Sequence, residues 1–284
     1  MPKITIVTDS TAYLPPAVLK QYDIQVAPLF VNWDGVSYLD GVDIHPAEFY
    51  TRLARSKTMP TSSQVPVSAF QKIFADLIAR GDSILAITIS SKLSGTLDSA
   101  IQAKASFPNA SIELFDSLAT TLGTGVQVLV AARAIEKGAS LADCKTILEG
   151  ARAKSGILIT VDTLEFLHRG GRIGGGARFL GTALNLKPIL ALGEQTSGKI
   201  EAVERVRTRS KVLSRMVEVM AERLNGRKLA YAATVHANAL VDAQAVIDQV
   251  KAKFHPAETM IAEVSPVIGT HTGPGTVGLI YLAE

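Results

Sequence analysis

Within residues 84–100, hydroxyl side chains follow an apolar run, in a pattern that suits the binding of an anion. Residues 84–89 include three isoleucines and predict a strand buried on both faces, as in a parallel sheet. Residues 90–96 then supply three serines, a glycine and a threonine before a helical spacing begins at Leu97. Ligands bind at the carboxyl ends of strands in open α/β sheets, where a helix N-terminus offers N–H groups and partial positive charge. The stretch therefore predicts an anion site, and simple helix capping remains the alternative.

Residues 61–64 form a second polar cluster of three hydroxyl side chains and Gln64. It precedes a helix predicted over residues 67–79. Neutral hydroxyls donate hydrogen bonds to a carboxylate without bringing a charge of their own. Two such helix starts facing one crevice would supply several donors to one small anion. Because serine and threonine are also ordinary cap residues, this cluster by itself defines no site.

His271 lies in a loop predicted over residues 266–275, with Thr270 and Thr272 beside it and glycines on both sides. Glycines at such places indicate that the backbone closely approaches another group. The two threonine hydroxyls add donors beside the imidazole. We interpret His271 as a functional residue, and a purely structural hydrogen-bonding role is the alternative.

The common cofactor motifs are missing from the sequence. No pair of histidines or cysteines has metal-ligand spacing, no G-x-G-x-x-G follows a strand, and no G-x-x-x-x-G-K-S/T is present. A serine hydrolase remains as an alternative interpretation. In it, His271 acts as the base for Ser94, and Asp9 or Asp116 orients the histidine. Ser94 lacks the flanking G-x-S-x-G of such enzymes. Asp9, at a strand-to-helix turn, is interpreted as a cap.

The composition is that of a folded globular protein, with 47% hydrophobic and 19% charged residues among 284. The single cysteine, Cys144, cannot form an internal disulfide, which fits a reducing compartment. A net charge of +3 gives no reason to expect nucleic acid as a partner. The sequence has no charged-then-apolar leader and no apolar run of about 18 residues. We therefore expect a cytoplasmic protein without stable membrane insertion.

Strand and helix patterns alternate as far as about residue 154 and predict a doubly wound, parallel α/β/α domain over residues 1–155. The pattern then changes to six strands with hairpin-like spacing and few crossover helices. We therefore expect a second α/β domain over residues 156–284, built on a mixed or antiparallel six-stranded sheet.

Residues 90–100, S-S-K-L-S-G-T-L-D-S-A, resemble the signature of the DegV family of bacterial fatty-acid-binding proteins. Further segments are similar to that family in the same order, and together they cover essentially the whole chain: residues 6–11, 61–64, 116–117, 162–167, 169–173, 184–190, 206–209 and 268–275. One departure lies at residues 62–66, where the family commonly has T-S-Q-P-S and this chain has S-S-Q-V-P.

The resemblance implies a DegV-like fold and a binding protein that is not itself an enzyme. Such proteins hold one long-chain fatty acid in a tunnel between two domains, and a separate ATP-dependent kinase phosphorylates its carboxylate. Carried onto this sequence, the carboxylate site comprises Thr61, Ser62, Ser94, Gly95 and His271. The resemblance implies no cofactor and no metal, only the bound fatty acid.

The partner surface for the kinase is expected to include Arg172 and Arg207 or Arg209, although ordinary solvated arginines are the alternative. An alternative interpretation assigns the chain to another class of protein. In that reading the chain is a hydrolase or a small-molecule kinase subunit that uses Ser94 or His271 covalently, since dihydroxyacetone-kinase relatives share a similar fold.

Overall fold

The structure is a computed structural model, and it describes residues 2–180 and 186–284. The first half of the chain forms these strands and helices in order: β1 (Ile4–Asp9), α1 (Pro16–Gln21), β2 (Gln25–Ala27), β3 (Phe30–Trp33), β4 (Val36–Leu39), α2 (Pro46–Leu53), β5 (Thr61–Ser63), α3 (Val67–Ala79), β6 (Ser83–Thr88), α4 (Thr96–Ala105), β7 (Ile112–Asp116), α5 (Leu122–Glu136) and α6 (Leu141–Lys154).

Four of these strands form a fully parallel sheet in the order β2-β1-β6-β7. Every residue of β6 is buried, because helices cover both faces of a doubly wound sheet. The predicted parallel sheet and its buried strand at residues 84–89 are therefore confirmed. The loops that follow β6 and β7 contact the second half of the chain, since Ser90 Oγ donates to the Gly198 carbonyl at 2.7 Å and the Leu118 side chain lies beside Gly198.

The short strands β2 and β3 follow one another closely in the chain but belong to two different sheets. Pro28 lacks an N–H group, and the next residue, Leu29, donates its N–H to Ser10 Oγ rather than to a strand. After this break, β3 pairs antiparallel with both β4 and β5 in a separate three-stranded sheet. Residues 61–63 are thus an edge strand and not the helix entry that was expected.

The second half of the chain forms β8 (Ser155–Thr160), α7 (Glu165–Arg169), β9 (Lys187–Leu192), β10 (Glu201–Val206), α8 (Arg209–Leu224), β11 (Leu229–His236), α9 (Leu240–Phe254), β12 (Glu258–Glu263), α10 (Pro266–Thr272) and β13 (Val277–Ala283). Short 3-10 helices occupy Ser10–Ala12, Gly174–Phe179 and Glu194–Thr196. Within the resembling segment 184–190, Leu184 and Asn185 lie outside the described residues.

The six strands form one mixed sheet in the order β10-β9-β8-β13-β11-β12, which confirms the expectation. Among the described pairings within this six-stranded sheet, only β11–β12 is parallel. One face of the sheet packs on α8 and α9 through a core that includes Leu158, Val217 and Ile247. The other face, which carries Ile157 and Val235, joins the apolar core of the first half of the chain.

The loop expected over residues 266–275 is largely helical. Pro266 starts α10 at a position where a proline needs no N–H partner, and Gly273 ends the helix with φ +73°. His271 is therefore held on a helix, close to its C-terminus. In the described part of the chain, no helix is both long and apolar enough to cross a bilayer.

Candidate functional site

A cavity of about 440 Å³ lies between the two halves of the chain and is lined by residues of both. Its interior is formed by buried aliphatic side chains, among them Ile157, Ile159, Leu192, Ile200, Val235 and Val267. Its polar end includes Ser63 and Gln64, which are exposed to solvent. The cavity thus combines an apolar interior with a polar mouth.

Three neighbouring strands of the mixed sheet form part of the cavity floor. Ile159 on β8 pairs with Gly278 on β13, which pairs with Val235 on β11. All three residues line the cavity. A Cβ at Gly278 would lie only 2.7 Å from a methyl of Val235. The glycine therefore leaves space above the middle strand, between the side chains of Ile159 and Val235. The row leaves an apolar groove that runs across the strands.

A hydrogen bond of 2.6 Å between Ser62 Oγ and His271 Nε2 joins the two halves at the polar mouth. Ser62 is the central residue of β5, and its neighbour across the sheet is Val31 of β3. His271 is presented by α10. The structure therefore brings together two of the residues that were predicted to contact a carboxylate, and both line the cavity.

His271 is neutral at physiological pH. Burial lowers the pKa of its imidazole to about 4, and the positive charge of nearby Arg172 contributes in the same direction. Nδ1 has no hydrogen-bond partner among the described residues. Gly170 lies directly against this nitrogen, and a Cβ there would collide with it. The ring is thus fixed between Ser62 on one side and glycine backbone on the other.

Ser94 and Gly95 stand at the start of the ten-residue helix α4, and both line the cavity. Ser94 Oγ lies 2.9 Å from Thr96 Oγ1, and Gln64 donates from Nε2 to the Gly95 carbonyl at 3.1 Å. A Cβ on Gly95 would collide with the Gln64 amide. The N-terminus of α4 therefore adds its partial positive charge to the polar mouth.

Arg172, expected on an exposed surface that meets the partner, is placed at the cavity. Its side chain is half-buried and lines the cavity. The guanidinium donates to the Leu93 carbonyl at 3.1 Å and to the Gly170 carbonyl at 2.6 Å. These acceptors draw the side chain inward, so the donors at the mouth are not all uncharged.

The remaining predicted residues do not line the cavity. Thr61 is exposed, and its side chain lies on the face of β5 opposite to that of Ser62. Arg207 is exposed and forms no ion pair with the described residues. Arg209 is held by ion pairs to Asp162 and Asp242.

Sequence reasoning missed the contacts of Gln64 and the inward position of Arg172. Both residues lie inside segments that carry the family resemblance, which was the available signal. It also missed Thr120 and Thr121, which line the interior after β7. Nothing in their local sequence distinguishes them from helix-capping threonines.

The acidic residues considered for a catalytic triad are engaged elsewhere. Asp9 is buried and accepts from Thr11 N at 3.0 Å, which confirms its interpretation as a cap, and from Ile89 N at 2.6 Å. Burial raises the pKa of Asp9. Asp116 accepts from the backbone N–H groups of Ser91 and Leu118. Within the described residues, no carboxylate bonds to His271 and no group of metal-ligating side chains is placed to hold an ion.

Fold and cavity together define an α/β protein in which a parallel sheet and a mixed sheet enclose an apolar cavity with one polar end. The sequence model described as "Uncharacterised protein, DegV family" matches residues 3–284. A DegV domain-containing protein of Halalkalibacterium halodurans is 34% identical over 285 residues, covering all of both chains. The chain belongs to the DegV family.

Solved structures agree with this assignment. A DegV family protein from Thermus thermophilus, described for its fatty acid binding, superposes with a TM-score of 0.94 at 36% identity, covering 99% of this chain and 100% of the other. A stearic acid-binding protein from Eubacterium ventriosum superposes with a TM-score of 0.90 at 27% identity, covering 100% of this chain and 98% of the other. These relatives bind fatty acids.

Proposed function

We propose that this protein binds one long-chain fatty acid in the cavity, which acts as a tunnel between a domain over residues 1–155 and a domain over residues 156–284. The observation that carries the proposal is the cavity itself, with an aliphatic interior and hydrogen-bond donors gathered at the exposed end. Each buried CH₂ of a ligand contributes about 0.8 kcal/mol, so the chain dominates affinity. The names of the related structures support the same ligand class.

The carboxylate is proposed to lie at the mouth, within reach of Ser62, Ser94 and the N-terminus of α4. His271 Nδ1 faces glycine backbone, where a hydrogen on it would have no acceptor among the described residues. The neutral ring therefore carries its hydrogen on Nε2 and donates it to Ser62 Oγ. The Ser62 hydroxyl hydrogen is then free to donate to the carboxylate.

Arg172 adds a positive charge at the same end. Two of its donor atoms, Nε and Nη1, already bond to backbone carbonyls. Such a charge attracts the anion without fully neutralising it. We infer that the carboxylate oxygen stays available to a phosphoryl donor at the exposed mouth, where Ser63 and Gln64 meet solvent.

We further propose that a separate ATP-dependent fatty-acid kinase phosphorylates the bound carboxylate, and that this chain supplies no catalytic residue. Arg207 is the candidate for the partner surface, because it is exposed and lacks an ion pair with described residues. Arg209 is less suited to that role, since Asp162 and Asp242 already engage it.

Native mass spectrometry of freshly purified protein tests the ligand assignment. The expected result is a non-covalent mass in the fatty-acid range that solvent extraction removes. A protein that carries no lipid, and that binds no added stearic acid after extraction, would contradict the proposal. A covalent adduct on Ser94 or His271 would instead support the hydrolase or small-molecule kinase reading.

A further inference from the structure

Two threonines at the start of α5 place unpartnered hydroxyls in the interior of the apolar cavity wall. Thr120 and Thr121 both line the cavity, and each is only 6% exposed. Neither Oγ1 has a hydrogen-bond partner among the described residues. Buried hydroxyls without a partner are uncommon because leaving them unpaired costs free energy.

The helix that follows adds a third unpaired donor. Gly123 N–H donates to the Thr120 carbonyl, and the N–H groups of Thr124 and Gly125 donate to the Thr121 carbonyl. The remaining first-turn N–H, that of Leu122, has no acceptor in the described part of the chain. Thr121 has φ 53° and makes no capping bond, so its hydroxyl does not satisfy the helix. One N–H at the positive end of a 15-residue helix is therefore left without an acceptor in the described part of the chain.

This cluster is buried, whereas the carboxylate mouth is open to solvent. Gly123 packs so closely on Ile157 of β8 that a Cβ would collide with that side chain. Ile157 is 2% exposed, whereas Ser63 and Gln64 at the mouth are open to solvent. No hydrogen bond joins Thr120 or Thr121 to the described residues of the mouth. The cavity thus has a second, separate polar region along its apolar length.

We propose that this second region binds an oxygen atom carried by the acyl chain itself, so that the preferred ligands include long-chain fatty acids with a hydroxyl group remote from the carboxylate. The inference rests on the proposed fatty-acid-binding function. Rotation about the Cα–Cβ bond of a threonine moves the hydroxyl into the position held by the methyl group, and here it breaks no hydrogen bond. A threonine hydroxyl both donates and accepts, which matches an alcohol, and a saturated chain leaves both hydroxyls unpaired.

Competition binding with stearic acid and a positional series of monohydroxystearic acids tests the proposal. The variants are Thr120→Val, Thr121→Val and the double variant, since valine keeps the shape and removes the hydroxyl. For at least one positional isomer, the affinity relative to stearic acid is expected to fall about three- to tenfold from the native protein to the double variant. The single variants are expected to give smaller changes in the same ratio.

Thr88→Val is the matched control, because Thr88 Oγ1 is also buried and unpartnered but Thr88 does not line the cavity. It is expected to leave the affinity ratio unchanged. If stearic acid binds and no isomer changes its ratio in any threonine variant, this inference is wrong while the proposed function stands. If the native protein binds none of these acids, the proposed function itself fails. Should the double variant not fold, the two single variants decide the question.

Discussion

The mouth and the interior of the cavity are built on opposite principles. At the mouth, polar groups are already bonded to one another, as in the Ser62–His271 and Gln64–Gly95 pairs. In the interior, aliphatic side chains such as Ile159 and Val235 offer area and no fixed direction. The difference indicates that the interior supplies affinity for the proposed ligand, whereas the mouth fixes which end of it faces solvent. Four experiments test this division.

Filling the interior is expected to have the largest effect. In Ile159→Trp the indole occupies cavity space and excludes about four methylenes of the ligand, worth about 0.8 kcal/mol each. Fatty-acid affinity is expected to fall at least about 100-fold in a fluorescent displacement assay. Ile159→Val, which keeps the cavity open, should bind within about threefold of the native protein. Native affinity in the tryptophan variant would show that the chain lies elsewhere.

The mouth should make the unliganded fold sensitive to acid through His271. Its pKa in the folded state is about 4, below the usual 6.5, so the unfolded chain binds more protons between these values. The contribution to the free energy of unfolding is present above pH 6.5 and is lost as pH falls towards 4, by about 3 kcal/mol.

Denaturant unfolding of native protein and His271→Gln at pH 7 and pH 4.5 measures this loss. Comparing the two proteins cancels the opposite contribution of Asp40, whose pKa burial raises to about 6 and which therefore favours the fold as pH falls. Equal pH dependence in both proteins would mean that His271 is not the group that titrates.

The Ser62–His271 bond predicts that these two residues act as a unit. Ser62→Ala and His271→Ala should each weaken fatty-acid binding by about tenfold, and the double variant should be little worse than either. Thr61→Ala is the matched control on the outer face of the same strand and should bind normally. Additive losses in the double variant would separate the roles of the two side chains.

The smallest expected effect concerns the charge at the mouth. Arg172→Gln should weaken fatty-acid binding about threefold at low salt and less at high salt, because the attraction is partly screened. Arg207→Gln should leave fatty-acid binding unchanged and lower only acyl-phosphate formation by the proposed kinase. If Arg207→Gln weakens ligand binding as strongly as Arg172→Gln, the proposed separation of ligand site and partner surface is wrong.

The sequence predicted secondary structure well where the local residue pattern determines it, and less well where tertiary contacts determine it. The continuous apolar run at residues 84–89 predicted the buried strand β6, and the hairpin-like spacing after residue 156 predicted the mixed sheet. Residues 61–63 were misassigned because their strand identity depends on pairing with β3, which no local period records. Residues 266–272 form a helix although glycine and threonine suggested a loop.

The site shows the same limit. His271, Ser62 and Ser94 were predicted as site residues, the serines through the family resemblance as well as through their position near predicted helix starts, and all three line the cavity. The inward turn of Arg172 follows from carbonyl acceptors at Leu93 and Gly170, which only the folded chain brings together. The cavity position of Thr120 likewise depends on the packing of α5 against β8.

The bond between Ser62 and His271 spans 209 positions of the chain. During synthesis the serine emerges long before the histidine, so a nascent chain lacks this pair until α10 has left the ribosome. Orientation of the proposed ligand by this pair therefore requires the chain through α10, and a translation product that stops before α10 would lack it.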